Sequence, residues 1–162
     1  MEIQSFRTDD CINEVIEKYS LMIYRLAFAQ MKNKHDAEDV FQEVFLRYIS
    51  KPRKFESEEH RKAWLLRVTI NRCRTVLGSW FRKTESLDNT LVADTYVEDD
   101  LSDYLLLLPK KYRSVIHLFY YEKLSIKQIS KIMTIKESTI RTQLSRARSI
   151  LRERLKEDCL YE

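Results

Sequence analysis

Apolar residues recur at helical spacing along most of this chain, and in its last third they do so in two short segments that follow one another closely. Ile126, Ile129, Ile132 and Met133 share one face of the first segment, while Ile140, Leu144, Ala147, Leu151 and Leu155 follow offsets of 0, 4, 7, 11 and 15 in the second. The pattern predicts two amphipathic helices joined by a tight turn between Leu124 and Leu155, the form of a helix-turn-helix. The opposite face of the second helix carries Arg141, Thr142, Gln143, Ser145, Arg146 and Arg148. That mixture of donors suits phosphates and base edges in a major groove. A merely solvated helix face would also be charged, but the three polar residues interleaved with the arginines favour a reading face.

Upstream, Ile12, Val15, Ile16, Tyr19, Ile23, Leu26 and Ala27 make a helical stripe between Asp10 and Met31, with a break or a close helix pair expected near Tyr19 to Met22. In NKHDAEDVFQEVFLRYI, Val40, Phe41, Val44, Phe45, Tyr48 and Ile49 make one apolar side. The other side presents Asp36, Glu38, Asp39, Gln42 and Glu43, acidic at the helix start where it complements the macrodipole. Pro52 ends that helix, and a charged loop from Lys51 to His60 leads into AWLLRVTINRCRTVLGSWFRK. There Trp64, Leu65, Val68, Cys73, Val76, Leu77, Trp80 and Phe81 alternate with Arg61, Lys62, Arg67, Arg72, Arg74, Arg82 and Lys83. Interleaved aromatic and basic residues suit single-stranded nucleic acid, in which unstacked bases rest on side chains while arginines follow the backbone. Trp64, in register with Leu65 and Val68, is expected in the core, and Phe55, Trp80 and Phe81 are less committed. Further on, Leu101, Leu105 and Leu108 share a face, and Pro109 opens a helix whose Tyr112, Val115, Ile116 and Phe119 should pack on the helix-turn-helix.

Composition narrows the fold class. One glycine and two prolines in 162 residues leave almost no turn chemistry for a many-stranded protein, so the fold is expected to be all-α. Charged residues make up 33%, more than an ordinary enzyme carries, and favour binding of a large partner over small-molecule chemistry. The net charge of +4 is modest, but it comes in blocks. Lys51 to Lys83 is strongly basic, whereas Thr84 to Asp103 holds seven acidic residues and no basic one, which reads as a flexible linker between two basic modules. The expected organisation is therefore two small helical domains, 1–83 and 101–162, joined by an acidic linker over 84–100. Cys11, Cys73 and Cys159 lack the spacing of a disulfide framework or a zinc site, and free thiols are expected. Paired carboxylates at Asp36, Glu38, Asp39 and Glu43 can hold a metal, but with no histidine read at a matching helical spacing on that face, neither a metal nor any other cofactor is expected. No apolar run approaches the roughly 20 residues that span a bilayer, and none resembles a signal peptide, so a cytoplasmic location without membrane insertion is expected.

With both motifs and the linker in view, the chain resembles a bacterial RNA polymerase sigma factor of the extracytoplasmic-function (ECF) group within the sigma-70 family, across nearly its whole length. DAEDVFQEVFLRYI is similar to the segment by which that group grips the clamp helices of the polymerase's largest subunit, and the resemblance implies contacts from Asp39, Gln42, Glu43, Phe45 and Leu46. AWLLRVTINRCRTVL resembles the stretch that melts the −10 element and holds its non-template strand, with Asn71 at a recognition position. The loop from Phe55 to Arg61 resembles the one that captures a flipped base, and Phe55, Arg61, Arg67, Asn71 and Arg74 are the implied −10 contacts. LPKKYRSVIHLFYYEKLSIKQISKIMTIKESTIRTQLSRARSILRERL is similar to the domain that reads the −35 duplex and docks on the polymerase flap, implying −35 contacts from Thr139, Arg141, Thr142, Ser145 and Arg146. Three residues depart from the family pattern: Thr134 where the turn usually has glycine, Thr75 at a commonly acidic position, and Gly78 within the basic helix.

The expected function is that of a non-catalytic specificity subunit, which binds core RNA polymerase, reads promoter DNA at two elements and is often restrained by an anti-sigma factor. Two rivals predict different behaviour. A stand-alone helix-turn-helix regulator would bind specific duplex without polymerase, and a nucleic-acid enzyme would show turnover dependent on divalent metal.

Overall fold

The computed structural model describes residues 9–51, 53–83 and 104–160, and every regular element among them is helical. The helices are α1 (Asp9–Met31), α2 (Lys34–Ser50), α3 (Glu58–Lys83), α4 (Lys110–Ile116), α5 (Ile126–Met133) and α6 (Glu137–Leu160). α4 widens into a π-helical turn over His117–Tyr121. Pro52, Leu101 and the expected linker lie outside the described residues, as do the side chains of Trp80 and Phe81.

Local chemistry sets the helix ends. Lys32 turns left-handed at φ 58 after α1, and Asn33 then caps α2 by accepting from the Asp36 N–H at 2.9 Å. Two residues thus reverse the chain and lay α2 along α1. Ser57 opens α3 in the same way, its hydroxyl accepting from the His60 N–H at 3.1 Å.

Two apolar clusters result. In the first, Val15, Tyr19, Ile23 and Ala27 of α1 meet Ala37, Val40, Val44 and Phe45 of α2 and Leu65 and Cys73 of α3. Burial pushes the Cys73 thiol up to about 12, which leaves it inert at neutral pH. The second cluster gathers Leu105, Leu108, Tyr112, Val115, Ile116 and Leu118 with Ile129, Ile132, Met133, Ile140, Leu144 and Ala147. It also takes in Leu26 of α1 and Leu66 and Ile70 of α3, so the two modules share a core.

That sharing accounts for one departure from expectation, and helical phase for another. α1 is unbroken across Tyr19 to Met22, because the dense apolar stretch there serves two faces: Tyr19 and Ile23 belong to one cluster, Leu26 to the other, and Met22 packs against both. Ile49, read as part of the apolar side of α2, is 47% exposed. An offset of nine residues from Val40 turns the helix by about 180° relative to it, which points Ile49 outward.

Candidate nucleic-acid interface

The helix-turn-helix is built by side chains that close its ends. Ser125 and Gln128 form a capping box at the start of α5: the Ser125 hydroxyl accepts from the Gln128 N–H at 3.1 Å, and the Gln128 side-chain oxygen accepts from the Ser125 N–H at 2.9 Å. At the other end Thr134 is left-handed, at φ 57 and ψ 47, the conformation that glycine adopts most readily. Thr134 holds this shape at a conformational cost of roughly 1–3 kcal/mol. The N–H groups of Thr134 and Ile135 both reach the Ser130 carbonyl.

α6 then buries Ile140, Leu144 and Ala147 and presents Thr139, Arg141, Thr142, Ser145 and Arg146 to solvent. Arg141 is paired only at the surface, with Glu137 at 3.3 Å, and the Thr142 hydroxyl donates back to the Ser138 carbonyl at 3.0 Å. Such an exposed i,i+4 pair is weak, about 0.3–0.5 kcal/mol, and leaves the guanidinium available to a stronger acceptor. Arg148, expected on the same face, is used otherwise. Its Nε donates to the Tyr120 hydroxyl at 2.7 Å and its guanidinium lies over the Phe119 and Tyr120 rings, which ties α6 to the π-helical turn. The apolar stripe of α6 also outruns the core, since Leu155 is 42% exposed.

At the start of α3, Phe55 is half-buried against Tyr48, Trp64 and His60, with ring centroids 6.1, 5.9 and 5.4 Å away. Arg53 sits over Trp64 at 4.6 Å and Arg61 over Phe55 at 5.4 Å. Trp64 is thus a half-buried member of this aromatic group rather than a fully enclosed core residue. Arg61 is also paired with Glu58, which accepts from the Tyr19 hydroxyl at 2.7 Å. The Tyr19 bond, with Arg61 and Lys18 beside it, holds the Glu58 carboxyl below its ordinary range, while burial and Glu58 push Tyr19 up to about 12. Arg61 therefore anchors the loop more than it faces solvent.

Along α3, Arg67, Asn71 and Arg74 follow at offsets of 0, 4 and 7 and are exposed. Asn71 is open, and the Thr75 hydroxyl donates to its carbonyl at 3.0 Å, so the threonine is turned back onto the helix. Arg67 and Arg74 instead reach α5, donating to the carbonyls of Lys131 at 2.9 Å and Met133 at 3.4 Å. α3 runs through Gly78 without a break.

On α2, Asp39, Gln42 and Leu46 are exposed, and Leu46 is 65% accessible beside Ile49. Glu43 is bridged by Arg72 of α3 at 2.7 Å and Arg47 at 3.5 Å. Phe45, expected at this surface, is only 5% exposed and packs edge-to-face with Phe41 inside the first cluster. A histidine does lie at helical spacing here: His35 is 3.5 Å from Asp39 and 3.7 Å from Asp36. The three could approach a common ion, but His35 and Asp39 are exposed, and the Asp36 carboxylate meets the Asn33 amide at the helix cap.

Comparison with known proteins covers both modules. Residues 15–84 match the family described as Sigma-70 region 2, and residues 98–151 match that described as Sigma-70, region 4. The ECF RNA polymerase sigma factor SigM of Bacillus subtilis is 30% identical over an alignment spanning 87% of this chain and 93% of the relative. The chain belongs to the ECF sigma factors. SigW of the same organism is 29% identical, over 91% of this chain and 90% of the relative. Among solved structures, the sigma factor RpoE of Bartonella quintana, in complex with the anti-sigma factor NepR, shares the fold with a TM-score of 0.74 at 23% identity, covering 92% of this chain and 98% of that one.

As an ECF sigma factor the chain serves RNA polymerase in promoter-directed transcription initiation, as a specificity factor. No helix among the described residues of this sigma factor is long and apolar enough to cross a membrane. Sequence reasoning missed Ile49 as a surface residue and Arg53 and Tyr48 as parts of the aromatic group. It also missed the reach of Arg67 and Arg74 to α5. Only the first carried a local signal, in its helical phase.

Proposed function

We propose that this sigma factor reads the −35 element as duplex through Thr139, Arg141, Thr142, Ser145 and Arg146 of α6. It takes the −10 element as single strand through Arg61, Arg67, Asn71 and Arg74 of α3 and the preceding loop that carries Phe55. The observation that carries this reading is the exposed, donor-rich face of α6 set opposite a buried stripe in a capped helix-turn-helix. Phosphate contacts position the modules and base contacts specify the sequence. A non-template base that leaves the stack meets the Tyr48, Phe55 and Trp64 rings, and base–aromatic stacking contributes roughly 1–3 kcal/mol per base. Strand opening then draws on binding free energy, without nucleotide hydrolysis.

The polymerase clamp helices dock on Asp39, Gln42 and Leu46, with Glu43 at the edge and Ile49 extending the apolar patch; Phe45 supports that surface from beneath. The C-terminal module docks on the flap. Domain limits of 1–83 and 101–162, with the acidic segment 84–100 between them, follow this division, and the site of action is the cytoplasm. RpoE of Bartonella quintana is solved with an anti-sigma factor, and a partner of that class is inferred here.

Run-off transcription with purified core polymerase, this protein and a promoter library tests the reading. Initiation that depends on the protein and enriches two spaced elements is the expected result. Specific duplex binding by the protein alone, with no initiation, would favour the stand-alone regulator.

A further inference from the structure

Three cations gather where α1 meets α4. Lys32 follows α1 directly, Lys110 opens α4, and Arg113 lies about one turn further along it. Burial pulls the Lys32 ammonium down, and the charges of Arg113 and Lys110 add to this; Lys110 is pulled down by burial and then by Arg113. The three are therefore within electrostatic reach of one another. Among the described residues no carboxylate acts on Lys32 or Arg113. Half-buried cations elsewhere in the chain do meet one, as Arg72 meets Glu43 at 2.7 Å and Lys62 meets Glu122 at 3.1 Å.

Arg113 is the buried member of the cluster. It is 1% exposed, yet its Nε and Nη1 have no hydrogen-bond partner. Burial pulls the guanidinium down to about 10, so it still carries its charge at neutral pH. A buried charge of this kind is costly unless a counter-charge and acceptors meet it. The α1 wall is no better supplied. Gln30, one turn beyond Leu26 on the face that meets the second cluster, is 7% exposed with its Nε2 unpartnered. Both walls thus hold donors without acceptors. Water satisfies donors, but it leaves the charge uncompensated. Lys32 and Lys110 are exposed, so the cluster runs from solvent to the buried guanidinium.

We propose that Arg113, Lys32 and Lys110 bind a small phosphate-type anion between α1 and α4. Three positive charges call for more than one negative charge, and donors on two walls call for several acceptor oxygens on a compact centre. A phosphate group supplies both. A carboxylate brings only one charge and two oxygens. The phosphate belongs to a free ion or to the end of a nucleotide, which present the same group. A nucleic-acid backbone is too bulky to reach a side chain that is 1% exposed. None of the three residues is among the proposed promoter or polymerase contacts, so the site adds a small ligand to the partners of the protein.

The test uses the full chain as wild type, Lys32→Asn, Lys110→Gln and Arg113→Met, with inorganic phosphate, pyrophosphate and ATP each compared with sodium chloride at matched ionic strength. Asparagine suits residue 32, where the backbone is left-handed at φ 58. Thermal melting reads the stabilisation that a bound anion confers, and calorimetric titration reads affinity and stoichiometry. The wild type should bind one equivalent of at least one phosphate compound and melt higher with it than with chloride. Binding of the inorganic ions alone assigns the site to a free ion and binding of ATP alone to a nucleotide end, and either supports the proposal. Each lysine substitution should weaken binding roughly tenfold or more, the size of a lost charge-assisted hydrogen bond. Without anion, Lys32→Asn should melt no lower than wild type, because it removes a like charge; a merely structural lysine would lower it. Arg113→Met should abolish binding, and if it fails to fold the two exposed lysine variants carry the test. Equal melting shifts in wild type and lysine variants would show only the general effect of salt on burial and would overturn the site. So would the absence of one-equivalent binding, or promoter DNA affinity that falls in the lysine variants while no phosphate compound binds.

Discussion

α6 and α3 both carry a row of arginines, and they use them in opposite ways. α6 buries one stripe, Ile140, Leu144 and Ala147, and leaves Thr139, Arg141, Thr142, Ser145 and Arg146 exposed. α3 is buried on two sides: Leu65 enters one core, and its neighbour Leu66, together with Ile70, enters the other. Only a narrow strip is left on α3, and three of its arginines already reach acceptors, Arg67 and Arg74 on α5 and Arg72 on Glu43 of α2. The contrast teaches that the exposed row on α6 belongs to one module, whereas the row on α3 depends on how the two modules sit together; under the proposed assignment, duplex reading would be local to one module and strand reading would not.

The contrast can be broken first at the shared core. Leu66→Ala should cost about 2–5 kcal/mol of stability in urea denaturation, the range for emptying a buried leucine site, and should leave −35 duplex affinity unchanged. Arg141→Ala is the converse: a loss of roughly 1–3 kcal/mol confined to one −35 position in competition binding, with −10 strand binding unaltered. Ser125→Ala sharpens the picture from between the two faces. Loss of the α5 cap should lower stability by about 0.5–2 kcal/mol, read as a reduced melting temperature, and should perturb both activities because α5 lies against both α3 and α6.

The smallest effect is a pH dependence at the loop. The Glu58 carboxyl is depressed chiefly by the Tyr19 hydrogen bond. A group depressed in this way stabilises the fold above its unfolded value, about 4.3 for glutamate, and the contribution disappears as pH falls through the folded value. Wild type should therefore exceed Tyr19→Phe in stability near pH 7, and the gap should narrow in denaturation series taken toward about pH 3.

Much of this was legible in the sequence. Scarce glycine and proline indicated an all-α fold, and the offsets from Ile140 told the buried stripe of α6 from its exposed face, because a helix with one buried stripe has one phase to find. α3 was harder. Adjacent leucines at 65 and 66 point about 100° apart on a helix, and only tertiary packing tells whether the second meets solvent or another core. The same limit hid the α5 acceptors of Arg67 and Arg74, which lie 64 and 59 residues away in sequence. Phe45 was placed at the polymerase surface by motif position, whereas its helical phase puts it within the stripe centred between Val44 and Phe41. Arg148 looked equivalent to Arg141 until the aromatic turn at Phe119 and Tyr120 was seen to hold it.

The most direct test of the account crosses two variants with two promoter elements. Arg141→Ala and Asn71→Ala are assayed by run-off transcription with core polymerase on promoters altered at −35 or at −10, each relative to wild type. The account predicts an uncrossed pattern: Arg141→Ala loses discrimination only at −35, and Asn71→Ala only at −10. A crossed pattern, or full discrimination retained by both variants, would contradict the division of promoter reading between α6 and α3.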